Sequence, residues 1–278
     1  MKKATRRIVY DIIKNIVGFI ILFTIALLFA KYILGLKGIY TRYGQYINLE
    51  GFQTVKLSPY FKDAYVINMD KYPDRFKRIE ENAKGAGFTI KRWPGVEIME
   101  EHVLSLPEKG IGTLIYTSRA GGKRNLGAIG CFLAHRGLLE HIAANPNGTG
   151  TFICEDDVEI PPDFLSKLEA VSSEIPEDWD IIYMNKYMIQ GTSVSTHILK
   201  LNQDLTSSKN MGTWAFIVKN ESIKSKILPV LRQMIDELDL QLGRNADTLN
   251  MYLITPPIVY VDKTASESII EKIDKETK

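Results

Sequence analysis

The sequence predicts an α/β domain built around a mostly parallel sheet, and two patterns support that class. An apolar run rich in β-formers, Asp63–Asn68, is followed by a helical repeat that opens at Pro73 and by a second apolar run at 88–93. This strand–helix–strand order is the unit of a parallel sheet. The alternation continues without an internal repeat, so we expect one compact domain from about 60 to 265.

The later elements are apolar runs or helical repeats bounded by Pro, Gly or polar residues. We expect irregular chain at 94–126, where 118–125 is glycine-rich and basic, and again in the polar stretch 186–212. The predicted strands are 151–154, 179–184, 213–218 and 253–261, and the predicted helices are 127–144, 161–173 and 222–240, the last with a break near Pro229.

An apolar segment precedes this domain. Residues 16–30 carry no charge, and 16–36 would span ~31 Å as a helix, close to one hydrocarbon core. A cleaved signal peptide is the alternative, but no small-x-small cleavage site follows the segment. Basic residues cluster before it, which favours a cytoplasmic N-terminus. We therefore expect a single-pass type II membrane protein with 38–278 on the lumenal or external side.

The charge is distributed unevenly along the 278 residues, which hold 35 basic and 33 acidic side chains. Residues 1–37 carry a formal charge of +6, so the remaining 241 residues carry −4. A mildly acidic body lacks the clustered positive charge that meets phosphates. We therefore expect no nucleic-acid partner.

Three consecutive carboxylates, Glu155-Asp156-Asp157, directly follow the apolar strand 151–154. Ligand sites in open α/β sheets lie at such strand ends. Adjacent carboxylates repel one another unless a cation compensates, and Mg²⁺ or Mn²⁺ accepts carboxylate oxygens. Glu155 and Asp157 share one side if the chain stays extended. A solvated acidic turn before a helix is the alternative.

Polar residues also follow the first strand and interrupt two helical patterns. Asn68, Asp70 and Arg75 lie where the first strand meets its helix, and a plain helix cap also explains them. Asp236 and Asp239 are three residues apart, so they would be neighbours on one helical face. Exposed helix charge is the alternative.

His135 breaks an apolar helical pattern, and we expect it to be a satisfied core or boundary histidine. It has no HExxH-type partner, so a zinc site is not expected. Cys131 and Cys154 lie in apolar runs without metal-site spacing, which predicts buried thiols unless the fold brings them together. No GxSxG, Walker or GxGxxG motif occurs, which argues against acyl hydrolases, NTPases and dinucleotide oxidoreductases.

Taken in order, these segments resemble glycosyltransferase family 25, the lipooligosaccharide and collagen galactosyltransferase group. The resemblance covers about 63–270 and differs from the family pattern at Ala134, where a serine usually precedes the histidine, and in the MNKYM that follows the strand 179–184. The matching segments are YVINMDKYPDRFKRIE, NLGAIGCFLAHRGLLEH, FICEDDVEIPPDF, GTWAFIVKNESIKSKIL, LDLQL and PPIVYVDKTASESII.

The resemblance implies a GT-A-like nucleotide-sugar-binding fold, a UDP-hexose donor, a divalent metal (Mn²⁺ or Mg²⁺) and transfer with inversion. Glu155 and Asp157 would hold the metal, and Asp239 would be the base, with Asp236 as the nearest rival. The basic loop 119–124 would close over phosphates or simply be solvated. The nucleoside and diphosphate would be bordered by Asn68, Asp70, Arg75 and Asp156.

We therefore expect a membrane-anchored transferase that moves a hexose, galactose or glucose, from a UDP-sugar to a hydroxyl of a glycan, glycolipid or protein. A catalytically inactive binding or scaffold protein and a metal-dependent phosphoesterase are the alternatives. The predicted organisation is a cytoplasmic basic tail at 1–15, an anchor at 16–36, a stem at 37–62, the catalytic domain at 63–270 and a tail at 271–278.

Overall fold

Eight strands form one sheet in the computed structural model of this chain, which describes residues 58, 60–99, 105, 126–206 and 208–262. Two further short strands pair with each other beside it. The strands are β1 (Asp63–Asn68), β2 (Lys91–Pro94), β3 (Gly150–Glu155), β4 (Val158–Glu159), β5 (Ile181–Tyr183), β6 (Gly191–Ser193), β7 (Ile198–Leu201), β8 (Ala215–Lys219), β9 (Met251–Ile254) and β10 (Tyr260–Val261).

The order across the large sheet is β2-β1-β3-β8-β5-β9-β7-β6. Strand β1 pairs in parallel with β2 and β3, and β5 pairs in parallel with β9. Strand β8 is antiparallel to both β3 and β5, so those two run the same way. Strand β7 is antiparallel to β9 and to β6. Six strands therefore share one direction, which β7 and β8 oppose, and the predicted α/β class is confirmed.

Helices cover both faces of this sheet. The first begins with Pro73 at its first turn, where the missing N–H costs nothing, and buries Ile79 and Ala83. The helices are α1 (Pro73–Gly85), α2 (Leu126–Ala144), α3 (Phe164–Ala170), α4 (Asn220–Ser222, continued by a π-helical stretch Ile223–Ile227 and by Leu228–Val230) and α5 (Leu238–Arg244).

Alternation along the strands divides the buried side chains between two cores. In β1, Tyr65 and Ile67 belong to the core that packs against α2 and α4, whereas Ala64 and Val66 belong to the core that packs against α1 and α3. Successive side chains of a strand point to opposite faces, so a sheet with helices on both faces has apolar residues throughout. This explains why the strands were recognisable as continuous apolar runs.

Several predicted boundaries differ from the structure, and the single strand predicted over 253–261 is two strands, β9 at Met251–Ile254 and β10 at Tyr260–Val261. The strand predicted at 88–93 is β2 at Lys91–Pro94, and the helix predicted to open at 161 begins at Phe164. The stretch 186–212, predicted to be irregular, contains the β6–β7 hairpin. Strand β6 is polar and lies exposed at the sheet edge, so no apolar pattern marks it.

The helix predicted over 222–240 is interrupted. Helix α4 ends at Val230 and α5 begins at Leu238, so Asp236 precedes the helix and does not share a helical face with Asp239. The break falls next to Pro229, as predicted, and Gln241 bonds the backbone on both sides of it: its Nε2 donates to the carbonyl oxygen of Val230, and its Oε1 accepts the N–H of Ile235. This buried amide thus satisfies the backbone where the chain leaves the helix.

Among the described residues no helix is both long enough and apolar enough to cross a membrane. The predicted anchor at 16–36 lies outside the described residues, as do nearly all of the predicted stem, the basic loop 119–124 and the tail 271–278.

Gly130 lets α2 approach the chain that follows β2. A Cβ added there would lie 2.2 Å from the carbonyl oxygen of Val96, a backbone atom that cannot rotate away. We expect Gly130→Ala to lower the free energy of unfolding by about 1–3 kcal/mol, the usual cost of overpacking. Urea denaturation measures this change.

Gly137, on the same helix, is the matched control, since its added Cβ would meet only the Trp93 ring at 3.7 Å. Alanine there should be neutral or should stabilise the helix by up to ~1 kcal/mol. Equal effects of the two substitutions would contradict the close approach at Gly130.

Candidate functional site

A cavity of about 210 Å³ opens where β1 and β3 end, beside the first turns of α2. Glu155, Asp156 and Asp157 line it, together with Arg75 and His135. This is the edge at which ligands bind in open α/β sheets. The structure therefore brings four of the predicted site residues, the three carboxylates and Arg75, to one cavity.

The three carboxylates are arranged by a turn and not by an extended strand. Strand β3 ends at Glu155, and the chain turns at Asp156 and Asp157 before β4. The chain does not stay extended beyond Glu155, so the turn, and not strand alternation, brings Glu155 and Asp157 to the same cavity. A backbone hydrogen bond of 2.7 Å from the N–H of Asp262 to the carbonyl oxygen of Asp157 fixes the turn from the β10 side.

Asp156 is bound by the chain itself. Asn68 Nδ2 donates to its Oδ2 at 2.7 Å, and Arg75 Nη1 lies 3.3 Å from its Oδ1. Arg78 Nη2 donates to its carbonyl oxygen at 2.8 Å. Because both carboxylate oxygens are engaged, Asp156 orients Asn68 and Arg75, whereas its two neighbours face the cavity with more open coordination.

Asp157 carries an unsatisfied oxygen. Its Oδ1 is buried and has no hydrogen-bond partner among the residues that the structure describes. Burial, followed by the charge of Asp156, raises the pKa of Asp157 to about 6, although Arg75 and Arg78 pull it down. A buried carboxylate oxygen without a donor is a natural position for a cation.

Glu155 lies at the centre of the negative charge. Thr213 Oγ1 donates to its Oε1 at 2.6 Å. Burial raises the pKa of Glu155 to about 8, and the charges of Asp157 and Asp239 add to this effect. A divalent ion would remove the repulsion and hold the carboxylate in its ionised form.

The remaining predicted residues are placed differently. Asp70 has a side chain that is 87% exposed and pairs with Arg92, outside the cavity lining. Asp236 accepts a hydrogen bond from Arg244 Nε at 3.0 Å. The structure thus brings neither of them to the carboxylate cluster.

Asp239 is held by the backbone near the cluster. Its Oδ2 accepts the N–H of Gly212 at 2.6 Å, and its Oδ1 accepts the N–H of Leu240 at 2.9 Å. Its charge raises the pKa of Glu155, which follows from their proximity. Of the two predicted candidates for the base, only Asp239 therefore belongs to this electrostatic cluster.

His135 is not the satisfied core histidine that the sequence predicts. Its Nδ1 lies 3.0 Å from the carbonyl oxygen of Cys131, whereas its buried Nε2 has no hydrogen-bond partner in the described part of the chain. Nε2 faces Glu155 Oε1 at 3.8 Å. Burial lowers the pKa of His135 to about 4, so the ring is neutral at pH 7.

Lys186 is a buried cation that sequence reasoning missed. Its ammonium group donates to the carbonyl oxygens of Asn210 and Gly212 and lies 4.1 Å from the centre of the Tyr183 ring. Burial lowers the pKa of Lys186 to about 8, and the charges of Asp239 and Glu155 oppose that change. A lysine directly after a buried strand was the available sign.

A strained loop links these groups. Asn210 and Gly212 have positive φ values of 56° and 94°, and a Cβ at Gly212 would lie 2.8 Å from the Trp214 ring. Lys186 donates to the carbonyl oxygen of Gly212, and Asp239 accepts the N–H of the same residue. The next residue, Thr213, donates to Glu155. The loop therefore connects the predicted base to the predicted metal ligand.

The two cysteines are separate free thiols. Cys154 is buried in the core against α1 and α3. Cys131 lies on α2 and lines the cavity. The fold therefore does not bring them together as a disulfide.

Asn68 connects two charged groups and should be sensitive to truncation. Its Oδ1 accepts a hydrogen bond from Arg92 Nε at 2.8 Å while its Nδ2 donates to Asp156. We expect Asn68→Ala to lower the free energy of unfolding by about 1–3 kcal/mol, because buried partners lose their hydrogen bonds. Thermal and urea denaturation measure the loss. The exposed Asn145, whose Nδ2 donates to a helix carbonyl at 3.1 Å, is the control and should change stability by less than ~0.5 kcal/mol.

Comparison with known proteins gives a consistent family. A "Glycosyltransferase 25 family member" of Aedes aegypti is 27% identical over 130 residues, which cover 45% of this chain and 21% of the relative. A "Procollagen lysyl hydroxylase and glycosyltransferase" of Acanthamoeba polyphaga mimivirus is 23% identical over 225 residues, covering 73% of this chain and 25% of the relative. The matched regions thus span about a fifth to a quarter of these relatives.

A solved structure, "Crystal Structure of A197 from STIV", matches at a TM-score of 0.38 and 14% identity, covering 72% of this chain and 83% of that one. The model of "Glycosyltransferase family 25 (LPS biosynthesis protein)" matches residues 61–234, well over half of the chain. That range contains both the carboxylate cluster and α2. The chain belongs to glycosyltransferase family 25.

Proposed function

We propose that this chain transfers a hexose, galactose or glucose, from a UDP-sugar to a hydroxyl acceptor on a glycan, glycolipid or protein, with inversion. One observation carries the proposal: the buried, unpartnered Oδ1 of Asp157 lies in a carboxylate cluster that lines the cavity beside Arg75. Such a cluster suits a cation that bridges a nucleotide diphosphate. Family membership supplies the reaction class.

The residues present fit a divalent metal. Asp157 offers a carboxylate oxygen that accepts no hydrogen bond from the described residues. Glu155 offers a carboxylate whose ionised form is disfavoured by burial and by neighbouring negative charge. We assign both as ligands of Mn²⁺ or Mg²⁺, which take carboxylate oxygens. When bound, the ion would neutralise charge on the departing diphosphate.

Arg75 is placed to meet the diphosphate. Its guanidinium lies over the Tyr72 ring at 4.6 Å and is held by Asp156, which is in turn held by Asn68. A planar guanidinium fixed in this way can donate to phosphate oxygens without further ordering. On this basis we assign Arg75, Asn68 and Asp156 to binding of the nucleotide sugar. Arg75 would contact its diphosphate, and Asn68 and Asp156 would hold Arg75 in position.

Asp239 is the base in this proposal. Two backbone N–H groups orient its carboxylate, and a carboxylate held in this way can accept a proton from an acceptor hydroxyl. Asp236 is less suited because it pairs with Arg244 and, unlike Asp239, is not among the charges that act on Glu155. A single displacement assisted by such a base inverts the anomeric carbon.

The experiment follows nucleotide release by the purified full chain from a panel of UDP- and GDP-sugars, with and without Mn²⁺. We expect metal-dependent release from UDP-galactose or UDP-glucose, even if slow hydrolysis replaces transfer. No turnover together with no calorimetric binding of UDP and Mn²⁺ would favour the inactive scaffold. Metal-dependent cleavage of p-nitrophenyl phosphate without sugar transfer would favour the phosphoesterase.

We also propose that 16–36 anchors the chain as a type II membrane protein, supported by its uncharged apolar core and the basic residues before it. The full chain should stay with membranes after alkaline carbonate washing, whereas a chain lacking 1–37 should be released. Release of both forms by carbonate would contradict the anchor.

A further inference from the structure

Helix α2 places two more metal-ligating side chains next to Glu155. Cys131 and His135 lie four residues apart, one above the other on the helix. The Cys131 Sγ, one ring nitrogen of His135 and one carboxylate oxygen of Glu155 lie within 4.8 Å of one another. Thiolate, imidazole and carboxylate together form a donor set unlike that of a magnesium site.

The histidine is oriented as metal-binding histidines are. Its Nδ1 lies 3.0 Å from the carbonyl oxygen of Cys131, so a proton on Nδ1 leaves the Nε2 lone pair available. The ring stacks on Phe216, with a centroid separation of 6.1 Å and an interplanar angle of 18°. His135 is 1% exposed, and its unpartnered Nε2 faces Glu155 at 3.8 Å.

We propose that Cys131, His135 and Glu155 bind a borderline transition-metal ion of the Zn²⁺ type, with the fourth position open to Asp157 or substrate. The inference rests on the proposed function and departs from it on one point, the metal: nitrogen and sulfur donors beside Glu155 suit a Zn²⁺-type ion better than the Mn²⁺ or Mg²⁺ that carboxylates alone would select. The ion would thus connect α2 to the carboxylate cluster.

Two of the distances between the ligand atoms are already close to those of a tetrahedral site. Metal–ligand bonds of roughly 2.0–2.3 Å in a tetrahedral site place neighbouring ligand atoms roughly 3.3–3.8 Å apart. Glu155 Oε1 lies 3.8 Å from His135 Nε2 and 3.9 Å from Cys131 Sγ. As the metal–sulfur bond forms, the thiol proton leaves to water.

Cobalt(II) is the probe, since it takes zinc sites and absorbs light. We expect Co²⁺ added to the metal-free full chain to give a near-ultraviolet thiolate-to-cobalt charge-transfer band and the intense visible bands of four-coordinate cobalt. Equimolar Zn²⁺ should abolish both, whereas excess Mg²⁺ should not.

Three variants assign the bands. Cys131→Ser should remove the charge-transfer band, and His135→Gln should weaken Co²⁺ binding by roughly 10-fold or more. Cys154→Ala is the control and should keep the charge-transfer band, because Cys154 lies in the other core. The parent spectrum tests the proposal even if a variant does not fold, which circular dichroism would reveal.

The outcomes separate this inference from the proposed function. Cobalt binding without a charge-transfer band, weakened by Asp157→Asn and not by His135→Gln, would indicate a carboxylate-only site and overturn the inference while leaving the transferase intact. Failure of the metal-free chain to bind cobalt at all would overturn it too. The expected bands with no sugar-nucleotide turnover would instead reject the proposed function and keep the site.

Discussion

Asp157→Asn is expected to abolish metal-dependent nucleotide release while the chain keeps its fold. The substitution preserves shape but removes the charge from the side chain whose Oδ1 is buried without a partner. Loss of an outer partner of a metal ligand already costs roughly 10–100-fold, so loss of the ligand itself should reduce kcat/KM by at least about 100-fold. Because burial and Asp156 disfavour the ionised form, the metal-free variant should be no less stable than the parent.

Asp163→Asn is the matched control. Asp163 pairs at the surface with Lys167, one helical turn away, at 3.1 Å, and lies outside the cavity lining. Its turnover should equal that of the parent. If Asp157→Asn turned over like the parent as well, the assignment of Asp157 as a metal ligand would be wrong.

The metal-free chain should lose stability as pH rises from about 6.5 to about 8. Below 6.5 the buried His135 opposes this change, because burial lowers its pKa from 6.5 to about 4 and the folded chain excludes a proton that the unfolded chain binds. Burial raises the pKa of Glu155 from 4.5 to about 8, so the folded state holds a proton that the unfolded state has released. The stabilisation is complete below the unfolded value and disappears as pH rises through the folded one. Asp157 acts in the same direction between 3.8 and about 6.

Urea midpoints measured in EDTA between pH 6.5 and 8.5 test this expectation. Glu155→Gln should flatten most of the slope, since an amide does not titrate. Glu174 acts in the opposite direction, because its hydrogen bond with His197 lowers its pKa from 4.5 to about 2, and that range lies below the tested window. Stability that rises with pH in both proteins would contradict the buried-carboxylate interpretation.

The sequence predicted the elements whose apolar residues dominate their packing. Strands β1 and β3 and the helices α1 and α2 lie within one residue of their predicted starts, since both faces of the sheet are buried and each helix opens at a clear boundary. The carboxylates and Arg75 were assigned to one site by the family resemblance, and the fold brings them together because strand ends of one direction meet at one edge.

Contacts between distant parts of the chain were not predictable in this way. Strand β6 is polar and joins the sheet only through β7, which pairs with β9. The break near Pro229 was predicted, but the hydrogen bond that Gln241, eleven residues away, makes to Val230 at that break was not. Lys186 and His135 became candidate site residues only from the fold, which places their side-chain nitrogen atoms near the carboxylate cluster.

Strand alternation in β3 has a consequence for comparing chains of this family. Ile153 belongs to the core on the α2 side and Cys154 to the opposite core. The next residue, Glu155, therefore points back towards α2. Losing or gaining one residue within 151–154 would turn Glu155 to the other face and away from His135. A Glu-Asp-Asp triplet in another chain is therefore equivalent to this one only when the alternation of side chains along the strand before it also points its glutamate to the α2 side of the sheet.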